Sequence, residues 1–363
     1  MGEVTVYHIL INVVIWFIAM LFTFEHIFNV RANGMGYKWL LLLLVVFSTF
    51  AFCTGDYLNY RLLYNDTLKY NSSEHFEELY AWLIEVLPRE YHVWRFVVWG
   101  LASIVLIWTY KKLKLPQNFA VMVFVVLLMP VFPNLRNALG YVVVLLAIAF
   151  LADKQSSNRF WCILVAFALL AISTFLHKSM FLYIVLALFA FIPLNRVYYL
   201  LLLILFPILY LQLYGMSSAF IDVFATSEFS GETGHRYLDS DLRSTFNIYG
   251  IIQLTLNRLP VLLLLFYIIK NTVYTRKIEV SFYSKVYTKY TFILIYLSFL
   301  FYGQNVSAFL SSRFWDASLF PLTIVIADFW ENRPRSKFFK FCMILLIVAS
   351  FYNFSHAMYS LVK

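Results

Sequence analysis

Charge is what this chain has least of. Of its 363 residues only 13% are Asp, Glu, Lys or Arg, while 62% are apolar. Soluble globular domains carry about 25% charged and 45–50% apolar residues. A water-soluble fold is therefore excluded, because too little polar surface remains to cover the apolar mass. Intrinsic disorder is excluded by the same balance. With 11 glycines and 9 prolines the chain is neither collagen-like nor of low complexity. Cysteine is equally scarce. Cys53, Cys162 and Cys342 lie in or beside apolar runs, so neither a disulfide framework nor a zinc site is indicated. Also missing are a Walker A loop, a G-x-G-x-x-G turn, an H-E-x-x-H helix and a C-x-x-C pair. No nucleotide, metal or other cofactor is expected. The first apolar run has no basic leader and no small-residue cleavage site, and is read as a retained span.

What the chain does have is a succession of apolar runs near the ~20 residues that cross a bilayer. Twelve spans are expected, at 4–24, 37–53, 93–110, 118–132, 138–152, 160–176, 178–193, 197–214, 248–269, 288–303, 317–330 and 338–354, with 11 to 13 as the admissible range. The fold class is thus an all-α polytopic membrane protein, a single transmembrane domain over 1–363 in contact with the lipid bilayer. The net charge of +9 does not call for nucleic acid. Of the 28 Lys+Arg, 17 fall in or beside alternate loops that hold only 5 of the 19 Asp+Glu. Lys111, Lys112 and Lys114 crowd one such loop, and Arg333, Arg335 and Lys337 another. By the positive-inside rule these loops are cytoplasmic and both termini extracytoplasmic.

Two outside loops are long, 54–92 and 215–247. Within the first, HFEELYAWLIEVL (75–87) repeats apolar residues at i, i+3, i+4, which predicts an amphipathic helix on the membrane surface, ended by Pro88. The second is polar, with GETGHRYLDSD at its centre, and has the length of a loop that closes over a substrate.

Ionisable groups at membrane depth are costly, so each is a functional candidate. Asp56, in GDYLNYRLLYN, sits just after the second span, where a carboxylate can take a proton from a sugar hydroxyl or simply cap a turn. Arg136, in PNLRNAL, is the one charge of a very short outside turn; its planar fork suits a phosphate, though an interfacial arginine would also fit there. His177 and Lys178, in FLHKS, join spans six and seven on the same side. Arg258 lies near the middle of span nine, two residues before Pro260, and either pairs with a buried acid or faces an anion in a cavity. Arg313 and Asp316, in SRFWDASLFP, are spaced i, i+3, so they pair on one helical turn or bind substrate. His235 and Arg236 complete the set in the second long loop.

In order, GDYLNY, LRNALG, FLHKS and SRFWDASLF resemble the EpsG/Wzy-type family of bacterial polysaccharide polymerases, through Asp56 with Tyr60, Arg136 with Asn137, His177 with Ser179, and Arg313 with Phe314. The resemblance covers most of the chain and implies a GT-C-like fold in the bacterial cytoplasmic membrane. Its implied substrate is an undecaprenyl-diphosphate-linked oligosaccharide, passed as a growing glycan onto a new lipid-linked unit, and it leaves room for a chain-length regulator as partner. The diphosphate leaving group needs cations, for which Arg136, Arg313 and Arg258 stand ready. The attacking hydroxyl needs a base, Asp56 or His177. A flippase or transporter of lipid-linked sugars would instead spread its charges across both faces. A polysaccharide acyltransferase would need a cytoplasmic His site.

Overall fold

A computed structural model describes residues 61–65, 67–68, 78–128, 138–154, 158–193, 196–226, 248–301, 308–332 and 336–362, together with Val14, Phe17, Ile18, Leu41, Leu42, Val45, Val46 and Thr49. Everything with regular structure among them is helical. Among the described residues, those from Glu78 onward form eleven α-helices: α1 (Glu78–Val86), α2 (Tyr91–Lys112), α3 (Gln117–Leu128), α4 (Ala138–Ala152), α5 (Arg159–Leu176), α6 (Met180–Phe189), α7 (Arg196–Thr226), α8 (Ile248–Ile269), α9 (Phe282–Leu300), α10 (Ala308–Asn332) and α11 (Lys337–Val362). A single π-helical turn, Lys270–Tyr274, extends α8.

A helix that is apolar all round belongs in the interior. In α4, ALGYVVVLLAIAFLA, every residue is buried except Phe150 and Leu151, which are half-buried. All of Phe119–Leu128 in α3 is buried as well. These two helices and the second half of α10 form the centre. Phe119 stacks on Trp330 with ring centroids 4.7 Å apart, and Phe124 meets Phe320 edge-on at 5.9 Å. Around them stand α2, α5, α6, α8, α9 and α11.

Between apolar helices in lipid, packing and hydrogen bonds must replace the hydrophobic effect. Three tyrosines do so here. Tyr110 of α2 shares a hydrogen bond with the Thr323 hydroxyl of α10 (2.8 Å). Tyr287 of α9 donates to the Leu145 carbonyl of α4 (2.7 Å). Tyr290 donates to the Tyr183 carbonyl of α6 (3.3 Å). The outward faces of α5, α6 and α7 are apolar. Phe160, Trp161, Phe167, Phe175, Phe181 and Leu211 are all exposed, as a lipid-facing surface requires. By length and composition α2 and α5 can each cross a bilayer.

The basic end is stapled by charge. Lys112 pairs with Asp153 at 2.6 Å. Arg159, the first residue of α5, donates to the Leu151 and Asp153 carbonyls (2.8 and 2.7 Å) and so caps the end of α4. Arg196 does the same for the π-turn, donating to the Val273 and Tyr274 carbonyls. At the end of α2, Leu115 N–H bonds back to the Tyr110 carbonyl and Lys114 N–H to that of Lys111 (both 3.0 Å). This is a Schellman turn, with Lys114 in the left-handed region at φ 56°.

Four expectations are corrected. The span expected to end at 214 continues as α7 to Thr226, so the second long loop starts later than 215. Span eleven starts nine residues early, at Ala308, which puts SRFWD inside the helix. The helix α9 begins at Phe282, well before 288, because Ser281 caps it by accepting from Ser284 N–H. The amphipathic stretch does form a helix, α1, but it turns its apolar stripe onto the protein. Tyr80, Leu83 and Ile84 are buried there, and Tyr80 meets Trp94 of α2 edge-on at 5.8 Å.

Candidate functional site

Asp56, Tyr60, Arg136, His235 and Arg236 lie outside the described residues. The remaining candidates, and the helices that follow the other motifs, can be placed.

FLHKS closes α5 and opens α6. His177 has an extended backbone, caps α5, and is half-buried. Its Nδ1 accepts two hydrogen bonds from Ser179, one from the backbone N–H at 3.1 Å and one from the hydroxyl at 2.8 Å. A backbone amide is always a donor, so Nδ1 carries the lone pair and the neutral ring holds its proton on Nε2. The spacing of His177 and Ser179 is thereby explained: the serine sets the tautomer and the orientation of the ring. Lys178 is exposed beside it.

LRNALG leads into α4, and Gly140 meets the first turn of α6. A Cβ placed on Gly140 would lie 2.8 Å from Met180 Sδ and 2.9 Å from its Cγ. A side chain at this position would have to push the Met180 thioether aside. One residue on, Tyr141 packs edge-on against Tyr183 of α6 (4.8 Å) and meets Phe320 of α10 at a tilt (5.2 Å). Tyr183 also contacts Phe314 at 5.9 Å and lies within the field of Arg313. The segments that follow the second and third motifs thus meet the fourth.

Arg258 of α8 is buried, 7% exposed. Its Nη1 donates to the Ser298 hydroxyl of α9 (2.9 Å) and its Nη2 to the Ser311 hydroxyl of α10 (3.4 Å). The Ser311 hydroxyl in turn donates to the Ser298 carbonyl (2.7 Å). The guanidinium carbon lies 4.8 Å from the centre of the Trp315 ring and 5.3 Å from that of Phe299. One cation therefore ties three helices together by its fork and by two aromatic faces.

From Ser311 to Trp330 every residue of α10 is buried except three: Ser312, Arg313 and Asp316 are half-open. Spaced i, i+1 and i+4, they form a single polar window one helical turn tall. Arg313 and Arg258 are the two cations whose charge reaches the Asp316 carboxyl. The arrangement offers fixed positive charge and a carboxylate beside packed aromatic rings, which suits an anionic ligand carrying hydroxyl groups.

Two residues carry more weight in the structure than in the sequence. Asp316 reads as the partner of Arg313, and its place in the window shows only once α10 is seen to be otherwise sealed. Arg95 of α2 reads as a charge near a span end, yet it is only 3% exposed. It donates to the Tyr91 hydroxyl (3.2 Å). Around it Tyr64 meets Tyr91 (5.3 Å) and Trp94 (5.9 Å), which fastens the segment downstream of Asp56 and Tyr60 to α2. The aromatic spacing of WRFVVW was the available signal.

No curated protein and no solved structure matches the chain. The model of the EpsG family does, over residues 37–362. All the elements described from Leu41 onward lie inside that match, including α4, α6, α8 and α10, which carry the geometry above. The chain belongs to the EpsG family, membrane proteins linked to exopolysaccharide biosynthesis.

Proposed function

We propose that this protein polymerises undecaprenyl-diphosphate-linked oligosaccharide repeat units into a surface polysaccharide at the outer face of the bacterial cytoplasmic membrane. The supporting observation is the meeting of α6, α8 and α10, which sets Arg258, Arg313, Asp316 and Tyr183 together. In this reading twelve spans place both termini outside in a GT-C-like arrangement, and the polar window of α10 opens at the outer leaflet. Arg136 and Arg313 hold the diphosphate and neutralise the charge that develops as it leaves. Arg258 fixes the end of α10 that carries Arg313. His177, with its proton on Nε2, donates to a substrate oxygen. Lys178, Tyr60, His235 and Arg236 line the approach of the lipid-linked saccharide. The incoming hydroxyl needs a proton acceptor; with His177 acting as a donor that role falls to a carboxylate, which among the motif residues read from the sequence is Asp56.

The test is surface polysaccharide length in a deletion strain complemented with wild type, Arg136→Ala, His177→Ala or Arg313→Ala, with each variant's membrane level measured. Long chains with wild type, and accumulating single repeat units with Arg136→Ala and Arg313→Ala, are the expected result. Normal chain lengths in the uncomplemented deletion strain refute the polymerase. Repeat units trapped on the cytoplasmic face would instead indicate a flippase, and altered acylation an acyltransferase.

A further inference from the structure

Resting on that reading, we infer that Asp316 is the proton acceptor of the transfer step. The face of α10 carries the inference. A helix packed into a membrane bundle is either sealed by protein or greased by lipid. Between Ser311 and Trp330, α10 is sealed everywhere but at Ser312, Arg313 and Asp316, all polar and all on one face. A half-open polar face is out of place against lipid. It is suited to water, headgroups or substrate.

Three features single out the carboxylate within that window. First, His177 is poorly placed to take a proton. Its Nδ1 is occupied by both donors of Ser179, and its Nε2 already bears hydrogen. Second, Arg258 has no need of Asp316 as its hydrogen-bonding counter-ion. Two serine hydroxyls receive its fork and two rings its face, so Asp316 meets it as a neighbouring charge. Third, Arg313 sits one turn before Asp316 on the same face. A diphosphate held by Arg313 would bring its anomeric carbon to the carboxylate's neighbourhood, with base and leaving-group cation spaced by three residues, ~4.5 Å, along the axis.

The step balances without a further reactant. The acceptor hydroxyl gives its proton to the Asp316 carboxylate. Its oxygen forms a bond to the anomeric carbon of the lipid-linked donor. The bond from that carbon to the diphosphate oxygen breaks, and the diphosphate leaves with the electron pair, neutralised by the arginines. The carboxylic acid then returns its proton to water through the half-open face.

The experiment uses the full-length protein in nanodiscs, with lipid-linked repeat units extracted from the deletion strain as the probe for both binding and turnover. Wild type must polymerise them; if it does not, the polymerase reading itself fails. Given wild-type turnover, Asp316→Asn is expected to bind the lipid-linked unit within about threefold of wild type and to lose on the order of 10²–10⁴ in kcat, the usual contribution of a positioned base. Turnover within tenfold of wild type overturns the inference. So does weakened binding with kcat retained, which would make Asp316 a mere counter-ion of the arginines. Asp316→Glu keeps the charge and displaces it by one methylene, so it serves if the Asn variant fails to fold. It should lower kcat by about 10², as expected of an ångström-scale misplacement, at unchanged KM. An unchanged kcat there refutes the assignment.

Discussion

Removing the guanidinium of Arg258 should loosen three helices at once, by an amount the geometry sets. The bond to Ser298 is short (2.9 Å), and its acceptor oxygen has no other role in the contacts described. The bond to Ser311 is long (3.4 Å), and that hydroxyl is already committed to the Ser298 carbonyl. Charge-assisted hydrogen bonds contribute about 1.5–3 kcal/mol in soluble proteins, but pairs within membrane proteins average only ~0.6 kcal/mol. Two aromatic faces at 4.8 and 5.3 Å add about 0.5–2 kcal/mol for a desolvated cation. Arg258→Met should therefore cost about 2 kcal/mol, since methionine fills the volume without a charge to bury. A double-mutant cycle separates the parts. Arg258→Met with Ser298→Ala should couple by about 1 kcal/mol, and with Ser311→Ala by less than about 0.5 kcal/mol, following the difference in bond length. Arg258→Lys should recover less than half of the loss, because an ammonium cannot bridge both hydroxyls. The assay is reversible unfolding of the purified protein in mixed detergent–SDS micelles, read by circular dichroism. Coupling near zero for both pairs would show that the clasp contributes nothing and that Arg258 is held by other means.

Other outcomes follow from the same contacts. Gly140→Ala should be tolerated, with a loss below about 1 kcal/mol, because the atoms it meets belong to the flexible Met180 side chain. Gly140→Val should separate α4 from α6 and cost about 1–3 kcal/mol, and a thermal melt of the two variants in detergent checks the difference. Lys114→Gly should stabilise the protein by about 1 kcal/mol by relieving the left-handed residue at the end of α2; a lowered melting temperature would contradict the turn geometry. Ser179→Ala leaves the backbone donor on His177 and removes the hydroxyl, so polymer yield should fall only a few-fold, in the range of one neutral hydrogen bond of about 1 kcal/mol. Lys112→Met should change stability by less than about 1 kcal/mol, because its bridge to Asp153 is about one-quarter exposed at both ends.

Hydropathy alone locates the helices best where nothing polar interrupts them. The expected span 138–152 and α4 coincide, as do 248–269 and α8. It fails at the ends of helices that carry polar residues through the interface. Arg313 and Asp316 look like the outer limit of a span, yet they lie inside α10 because burial of Phe314, Trp315 and Ala317 on its other faces draws the helix on. A related reason puts α1 against the protein and not on the membrane surface. An amphipathic stripe states only that one face is apolar; Trp94 of the next helix and the more distant α5 determine what covers it. The meeting of Arg258 with Ser298 and Ser311 was beyond reach altogether, since serines leave no periodic trace in an apolar run. The order of motifs, by contrast, sufficed for the family.

The clasp on Arg258 also has a history within each molecule. Its serine partners lie 40 and 53 residues further along the chain. At the usual pace of synthesis, about 5–20 residues per second, the arginine waits roughly 3–10 s for Ser311 to be made. An arginine at the centre of an isolated helix opposes insertion by about 2.5–3.5 kcal/mol. Until its partner helices arrive, then, α8 inserts at a disadvantage, and Pro260 two residues on does not strengthen it. Assembly of this protein is completed late. Quality control that recognises charge in the bilayer before its helix partners arrive would find its target in chains truncated between Arg258 and Ser298.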